Sequence, residues 1–138
     1  MIGRDHIPVL LDEVLGQLGA DRAGVYLDCT LGLGGHAAHL LERNPQAELV
    51  GIDRDERSLE IARDNLAAFA DRVQLFHSDF RYLPDMDLDF SRVQGVLVDL
   101  GISSFQLDDA ERAFSFSQEG PLDMRMDQRG STTAARIL

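Results

Sequence analysis

The stretch Asp28-Cys29-Thr30-Leu31-Gly32-Leu33-Gly34-Gly35-His36 decides the fold. The apolar run Gly24-Val25-Tyr26-Leu27 leads into it, and the helix-compatible run Ala37-Ala38-His39-Leu40-Leu41-Glu42-Arg43 leads out. The pattern reads as strand, glycine turn, helix. Glycines at such a turn let the backbone pass close to a ligand, because no Cβ stands in the way. Free N–H groups at the following helix start favour polar or anionic ligand groups. Roughly twenty residues on, Leu49-Val50-Gly51-Ile52 ends in Asp53, where a carboxylate is placed to accept both hydroxyls of a ribose.

Two ligand chemistries fit this unit. Gly32-x-Gly34-x-x-Ala37 satisfies the dinucleotide fingerprint with its permitted final alanine. Asp28 points elsewhere: a dinucleotide binder usually keeps that strand end apolar, because the strand is buried on both faces. A carboxylate there suits a ligand bearing a cation, such as the amino group or sulfonium of S-adenosylmethionine. A strand–turn–helix that binds nothing is the third reading.

Composition narrows the class. The chain has 138 residues, which suggests one domain, and its 44% hydrophobic content can build a real core. No apolar run reaches the roughly eighteen residues of a membrane span, and the N-terminus lacks the apolar core of a signal peptide. A single cysteine, Cys29, rules out an intrachain disulfide framework and fits a cytoplasmic location. The net charge is −11, from 24 acidic and 13 basic residues, and every basic residue is Arg. Such a chain is a poor nucleic-acid binder by bulk electrostatics, and DNA is not an expected partner.

The rest of the chain repeats the strand-and-helix alternation. Pro8 suits a helix start, Val9, Leu10, Val14, Leu15 and Leu18 form an apolar face, and Gly19 stops the helix. His6 before it reads as a local cap, a packed side chain or a ligand contact. A strand over Val25 to Asp28 and a helix over Gly35 to Arg43 follow. His36 and His39 share that helix, but no third ligand lies near in sequence, so no metal is expected; His36 is the one placed to meet a ligand. Leu49 to Asp53 is the second strand. The next helix buries Leu59, Ala62, Leu66 and Phe69, and Val73 to His77 is the third strand. Ser78-Asp79-Phe80 at its end offers an adenine site, with Phe80 covering a ring face. Asp85 to Asp89 begins like a calcium loop but lacks its glycine and distal Glu. Val96 to Val98 in the fourth strand reads as buried on both faces, so Asp99 emerges at the same sheet end as Asp28 and Asp53. From Ile102 to Asp127 no long helix or strand is evident. Phe114, Phe116, Leu122, Met124 and Met126 argue for an ordered segment, and Ser131-Thr132-Thr133 caps a helix beginning at Ala134.

Five blocks together carry a resemblance. They are His6-Ile7-Pro8-Val9-Leu10-Leu11-Asp12-Glu13, Asp28-x-Thr30-x-Gly32-x-Gly34-Gly35-His36, Asp53-Arg54-Asp55, Asp99-Leu100-Gly101-Ile102-Ser103-Ser104-x-Gln106-Leu107-Asp108-Asp109, and Gly120-Pro121-Leu122-Asp123-Met124-Arg125-Met126-Asp127. Over its whole length the chain resembles the bacterial ribosomal RNA small-subunit methyltransferase H family, also called the MraW family. The last two blocks are the most specific.

The resemblance implies an α/β, Rossmann-like class I S-adenosylmethionine-dependent methyltransferase fold in partial form, with the first four parallel strands and their flanking helices. It implies transfer of a methyl group from S-adenosylmethionine to N4 of a decoding-centre cytosine of 16S rRNA in the small ribosomal subunit. Cofactor contacts carry over to Gly34, Gly35, His36, Asp53, Phe80, Asp99 and Gln106, and Asp99 is the candidate catalytic residue. Phe105 stands where many members have Pro. The motif of Asn or Asp followed by Pro-Pro and an aromatic, common among amino-methyltransferases, is absent. Methylation at N4 needs no cysteine nucleophile, so Cys29 has no such role. Family chains run longer, completing the sheet and adding an inserted helical RNA-binding domain. Residues 1–138 therefore read as the N-terminal part of a methyltransferase domain. Further expectations are an open sheet edge that invites a homo-oligomer and a chain inactive on its own. The alternatives are a truncated cofactor- or partner-binding chain and a nicotinamide-dependent dehydrogenase.

Overall fold

The computed structural model describes residues 8–115 and 119–137. His6 and Phe116 lie outside the described residues. Contacts divide the chain into two compact units, Met1–Asp99 and Leu100–Leu138.

The first unit contains α1 (Leu11–Leu18), β1 (Gly24–Asp28), α2 (Gly35–Arg43), β2 (Ala47–Asp53), α3 (Glu56–Asn65), β3 (Val73–His77) and β4 (Val93–Leu97). The four strands form one parallel sheet in the order β3-β2-β1-β4. The chain steps outward from β1 to β3 and then returns to β4. The reversal of strand order therefore falls between β1 and β4, where open α/β sheets bind ligands beyond the carboxyl ends of their strands.

Helices α1, α2 and α3 supply one side of the core. Leu15, Leu40, Leu41, Leu59, Ala62 and Leu66 pack with Tyr26, Leu31 and Leu49 of the sheet side, all nearly inaccessible. Burying each large aliphatic side chain in such a core contributes about 1.5–3 kcal/mol. On the other face Leu27, Cys29 and Val50 pack with Phe76, Phe80, Leu83 and Leu88, the last three contributed by the β3–β4 connection. The α3 start is fixed by Asp55, whose carboxylate accepts the Arg57 N–H and the Ser58 hydroxyl.

The strand and helix order matches the reading from sequence, but α3 ends at Asn65, so Phe69, expected on its buried stripe, lies beyond it in a 3₁₀ segment (Ala67–Arg72) and is only partly buried. Two further corrections fall in this unit. First, α1 starts at Leu11, because Leu10 takes a left-handed conformation (φ 52°) that cannot continue a helix. Val9 and Leu10 therefore lie off its apolar face, 70% and 64% exposed. Second, Val96 and Val98 are not buried on both faces but are 51% and 46% exposed. Among the described residues β4 is an edge strand that pairs only with β1, so an apolar run suited to a central strand is left open.

The second unit has little regular structure: α4 (Ser104–Asp108), a short 3₁₀ turn (Ala110–Arg112) and α5 (Ala134–Ile137). A capping box starts α4. The Ser103 hydroxyl accepts the Gln106 N–H, and the Gln106 side-chain oxygen accepts the Ser103 N–H, each at 3.2 Å. Arg112 is almost fully buried and lies over the Phe114 ring, and its Nη2 donates to the carbonyls of Arg125 and Met126. Arg125 forks onto both oxygens of Asp123, which holds that carboxyl below its ordinary range. Phe114 is an anchor as expected, but Leu122 and Met124 are half exposed at 47% each. Hydrogen bonds from two arginines order this segment where the sequence suggested apolar anchors.

Candidate functional site

The site is built where β1, β2 and β4 end. Beyond Asp28 the chain stays stitched to both neighbours: the Cys29 N–H donates to the Leu97 carbonyl, and the Leu31 N–H donates to the Ile52 carbonyl. The turn then closes, the Gly34 N–H reaching the Leu31 carbonyl at 2.9 Å. Gly34 sits at φ 82°, a left-handed position that suits glycine, and caps α2. Gly32 is also left-handed, and a Cβ built there would meet nothing within 4 Å. The turn thus presents open space above its backbone.

Asp53 holds this turn from below. Its Oδ2 accepts the Gly32 N–H at 2.7 Å, and its Oδ1 accepts the Asp55 N–H at 2.8 Å. Burial raises its carboxyl, and the N–H donors of Asp55 and Gly32 offset part of that rise. Asp28 is buried more completely. Burial pushes its carboxyl up to about 7; the Thr30 N–H offsets this in part, and the negative charges of Asp53 and Asp99 push further upward. Among the described residues, the Thr30 N–H at 3.1 Å is its one hydrogen-bond donor. Asp99 is exposed at the same edge, its backbone N–H donating to the Thr30 hydroxyl oxygen at 2.7 Å. Three carboxylates therefore converge around one glycine turn.

Placement of the other expected residues is mixed. Gly34 and Gly35 lie at the start of α2, and Gly35 packs against Pro8, which leaves no room for a Cβ. His36 is next to them, but its Nε2 donates to the Val9 carbonyl at 2.9 Å. Phe80 follows β3 and packs with the Leu27, Cys29 and Val50 cluster. Asp79 caps the turn after β3 and pairs with Arg54 and Arg81. Gln106 belongs to the second unit, where its side chain serves the capping box. Among the described residues no group of His, Cys, Asp and Glu has the arrangement of a metal site.

Sequence reading missed two residues that shape this edge. Thr30 ties the end of β1 to the end of β4. Asn65, at the end of α3, donates from its side-chain amide to the Leu33 carbonyl and so restrains the glycine turn. A threonine at a strand exit is a visible signal for the first; nothing local marks the second. A cavity of about 180 Å³ also opens on the sheet face of Leu27 and Val50, lined with Glu48, Leu88, Arg92 and Val93. None of the three carboxylates lines it, so it stands apart from this site.

The donor set fits S-adenosylmethionine. A buried carboxyl with a single N–H donor and two acidic neighbours is relieved by a cation, and the methionine end of that molecule carries one. A carboxylate at the end of β2 suits ribose hydroxyls, and the open space above Gly32 lets a ligand approach the backbone.

This sheet, with its glycine turn after β1 and acidic residue at the end of β2, is the Rossmann-like fold of class I methyltransferases, here in four strands with flanking helices. Solved structures share it, among them the following two. TrmN from Thermus thermophilus superposes with a TM-score of 0.50 at 28% identity, over 56% of this chain and 24% of that one. A putative rRNA-methylase from Clostridium thermocellum superposes with a TM-score of 0.50 at 18% identity, over 61% and 47%, a likeness of fold alone.

The chain belongs to the MraW methylase family, whose model matches residues 3–138. It is 48% identical over 138 residues to the ribosomal RNA small subunit methyltransferase H of Streptomyces avermitilis, covering 96% of this chain and 43% of that protein. It is 51% identical over 144 residues to the protein of that name from Cutibacterium acnes, covering 99% and 43%. The chain thus spans less than half the length of these relatives.

Proposed function

We propose that this chain forms the cofactor-binding part of an S-adenosylmethionine-dependent methyltransferase acting on 16S rRNA in the small ribosomal subunit, at N4 of a decoding-centre cytosine. The observation that carries the reading is the convergence of Asp28, Asp53 and Asp99 around the Gly32 to Gly35 turn. The names borne by its relatives supply the rRNA substrate.

When bound, the cofactor supplies an electrophilic methyl group on a sulfonium. The chain's own residues do the rest. Asp53 accepts the ribose hydroxyls while continuing to hold Gly32. Asp28 answers the positive charge of the methionine end. Gly34, Gly35 and His36 line that end, and Phe80 covers the adenine.

Cytosine N4 is a weak nucleophile, because its lone pair is delocalised into the ring. Holding it in line with the methyl supplies much of the rate gain. The exposed Asp99 is the group that holds the amine and takes its proton. The acidic balance of this chain leaves the phosphate-binding arginines and lysines to other parts of the polypeptides it resembles.

Calorimetry with S-adenosylmethionine and with NAD tests the cofactor. Binding of the first and not the second is expected, and the reverse sinks the reading. Incubating undermethylated small subunits with a family member of full length carrying this sequence, then analysing nucleosides by mass spectrometry, tests the substrate. A methyl on cytosine C5, or on protein, refutes it.

A further inference from the structure

The ladder between β1 and β4 ends in an unusual way. The Cys29 N–H donates to the Leu97 carbonyl at 2.9 Å. In a regular parallel pair the same residue would next accept the Asp99 N–H on its own carbonyl. That rung is replaced: the Asp99 N–H donates to the Thr30 side-chain oxygen at 2.7 Å. The chain after β1 turns away toward β2, where Leu31 is bound to Ile52, and the Thr30 hydroxyl spans the gap left behind. Its backbone N–H meanwhile donates to Asp28 Oδ1 at 3.1 Å. One residue therefore contacts two of the three acidic positions.

We infer that Thr30 is a positioning residue: its hydroxyl replaces the last rung of the β1–β4 ladder and fixes Asp99, and with it the Asp99 carboxylate, beside the glycine turn. The inference rests on the reading of Asp99 given above. A valine keeps the branched shape and removes only the acceptor; a serine keeps the acceptor and removes a methyl.

The test uses the 138-residue chain, Thr30→Val, Thr30→Ser and Thr30→Ala, with circular dichroism showing that each folds. Amide exchange at Asp99 is followed by NMR without cofactor. Thr30→Val and Thr30→Ala should speed that exchange several-fold, and Thr30→Ser should leave it near the original rate. Unchanged exchange in Thr30→Val overturns the inference, whether or not S-adenosylmethionine binds.

Calorimetry then links the anchor to the site. Asp99 is also carried over by family resemblance as a cofactor contact, so loss of the one neutral hydrogen bond that fixes it predicts S-adenosylmethionine binding weakened roughly three- to tenfold in Thr30→Val, and restored in Thr30→Ser. The effect should vanish when Thr30→Val is added to Asp99→Ala, because the anchored group is then gone. Equal weakening in both backgrounds overturns the positioning role and leaves a local packing effect. An original chain that binds no S-adenosylmethionine overturns the proposed function, while the exchange result still decides the anchor.

Discussion

Asp53 accepts the backbone N–H of Gly32 at 2.7 Å across twenty-one positions of sequence, so the last residue of β2 holds the turn that follows β1. The same carboxylate is the candidate ribose acceptor. A ligand that engages Asp53 therefore meets a group already fixed by two N–H donors, from Gly32 and Asp55.

Asp53→Ala should weaken S-adenosylmethionine binding tenfold or more. Hydrogen bonds to a charged group are worth about 1.5–3 kcal/mol each, and about 1.4 kcal/mol is tenfold in affinity. Releasing Gly32 and Asp55 adds a loss of stability. Calorimetry paired with urea melts separates the two; an affinity equal to that of the original chain would remove Asp53 from the site.

Asp28 makes the stability of the chain depend on pH with an uncommon sign. Its carboxyl moves from 3.8 to about 7 on folding, so the folded state binds more protons between those values. Its contribution is fully present below about pH 4 and is lost as pH rises through about 7. Asp28→Asn should therefore be more stable than the original chain at about pH 8, by a few kcal/mol, and nearly equal at about pH 4. Cofactor affinity should move the other way, rising through pH 7 as Asp28 ionises against a cationic ligand. Urea melts and calorimetry at both pH values check this, and parallel stability profiles for the two proteins would contradict it.

Much of this was legible in the sequence because the determinants are local. Strand runs end in Asp28, Asp53 and Asp99, and the turn between β1 and α2 needs left-handed backbone that glycine supplies at Gly32 and Gly34. The misreadings concern relations that no local pattern encodes. Leu10 belongs to the apolar periodicity of α1 yet adopts φ 52°, so the helix begins at Leu11 rather than near Pro8. Val96 has the character of a central strand, and whether a neighbour covers it depends on sheet order. Arg112 sits in a partly polar stretch where the sequence marks no role for it, and carbonyls thirteen and fourteen residues away accept from it and let it be buried.

Arg112 should be the keystone of the second unit. Arg112→Leu keeps much of the volume but strands the carbonyls of Arg125 and Met126 and removes the contact over Phe114. Losing two charge-assisted hydrogen bonds from a buried group should destabilise the unit by about 3 kcal/mol. Limited proteolysis should then cut between residues 119 and 137 well before the first unit is attacked. Protection equal to that of the original chain would show that other contacts hold the segment.

The 138-residue polypeptide should self-associate through β4. Among the described residues that strand pairs with β1 on one side only, and its apolar Val96, together with the neighbouring Val98, is about half exposed. An edge with open N–H and C=O groups beside exposed valines is a template for another strand, and a second copy of this chain offers the same edge. Lysine is the residue that blunts such edges, and this sequence contains none. Val96→Lys should therefore shift sedimentation toward the monomer while circular dichroism stays the same. Val9→Lys serves as the control, because Val9 is 70% exposed and lies off the sheet. The expected result is association that rises with concentration, is relieved by the change at Val96 and persists with the change at Val9. A monomer at every concentration, or equal relief by both variants, would show that β4 is not the contact.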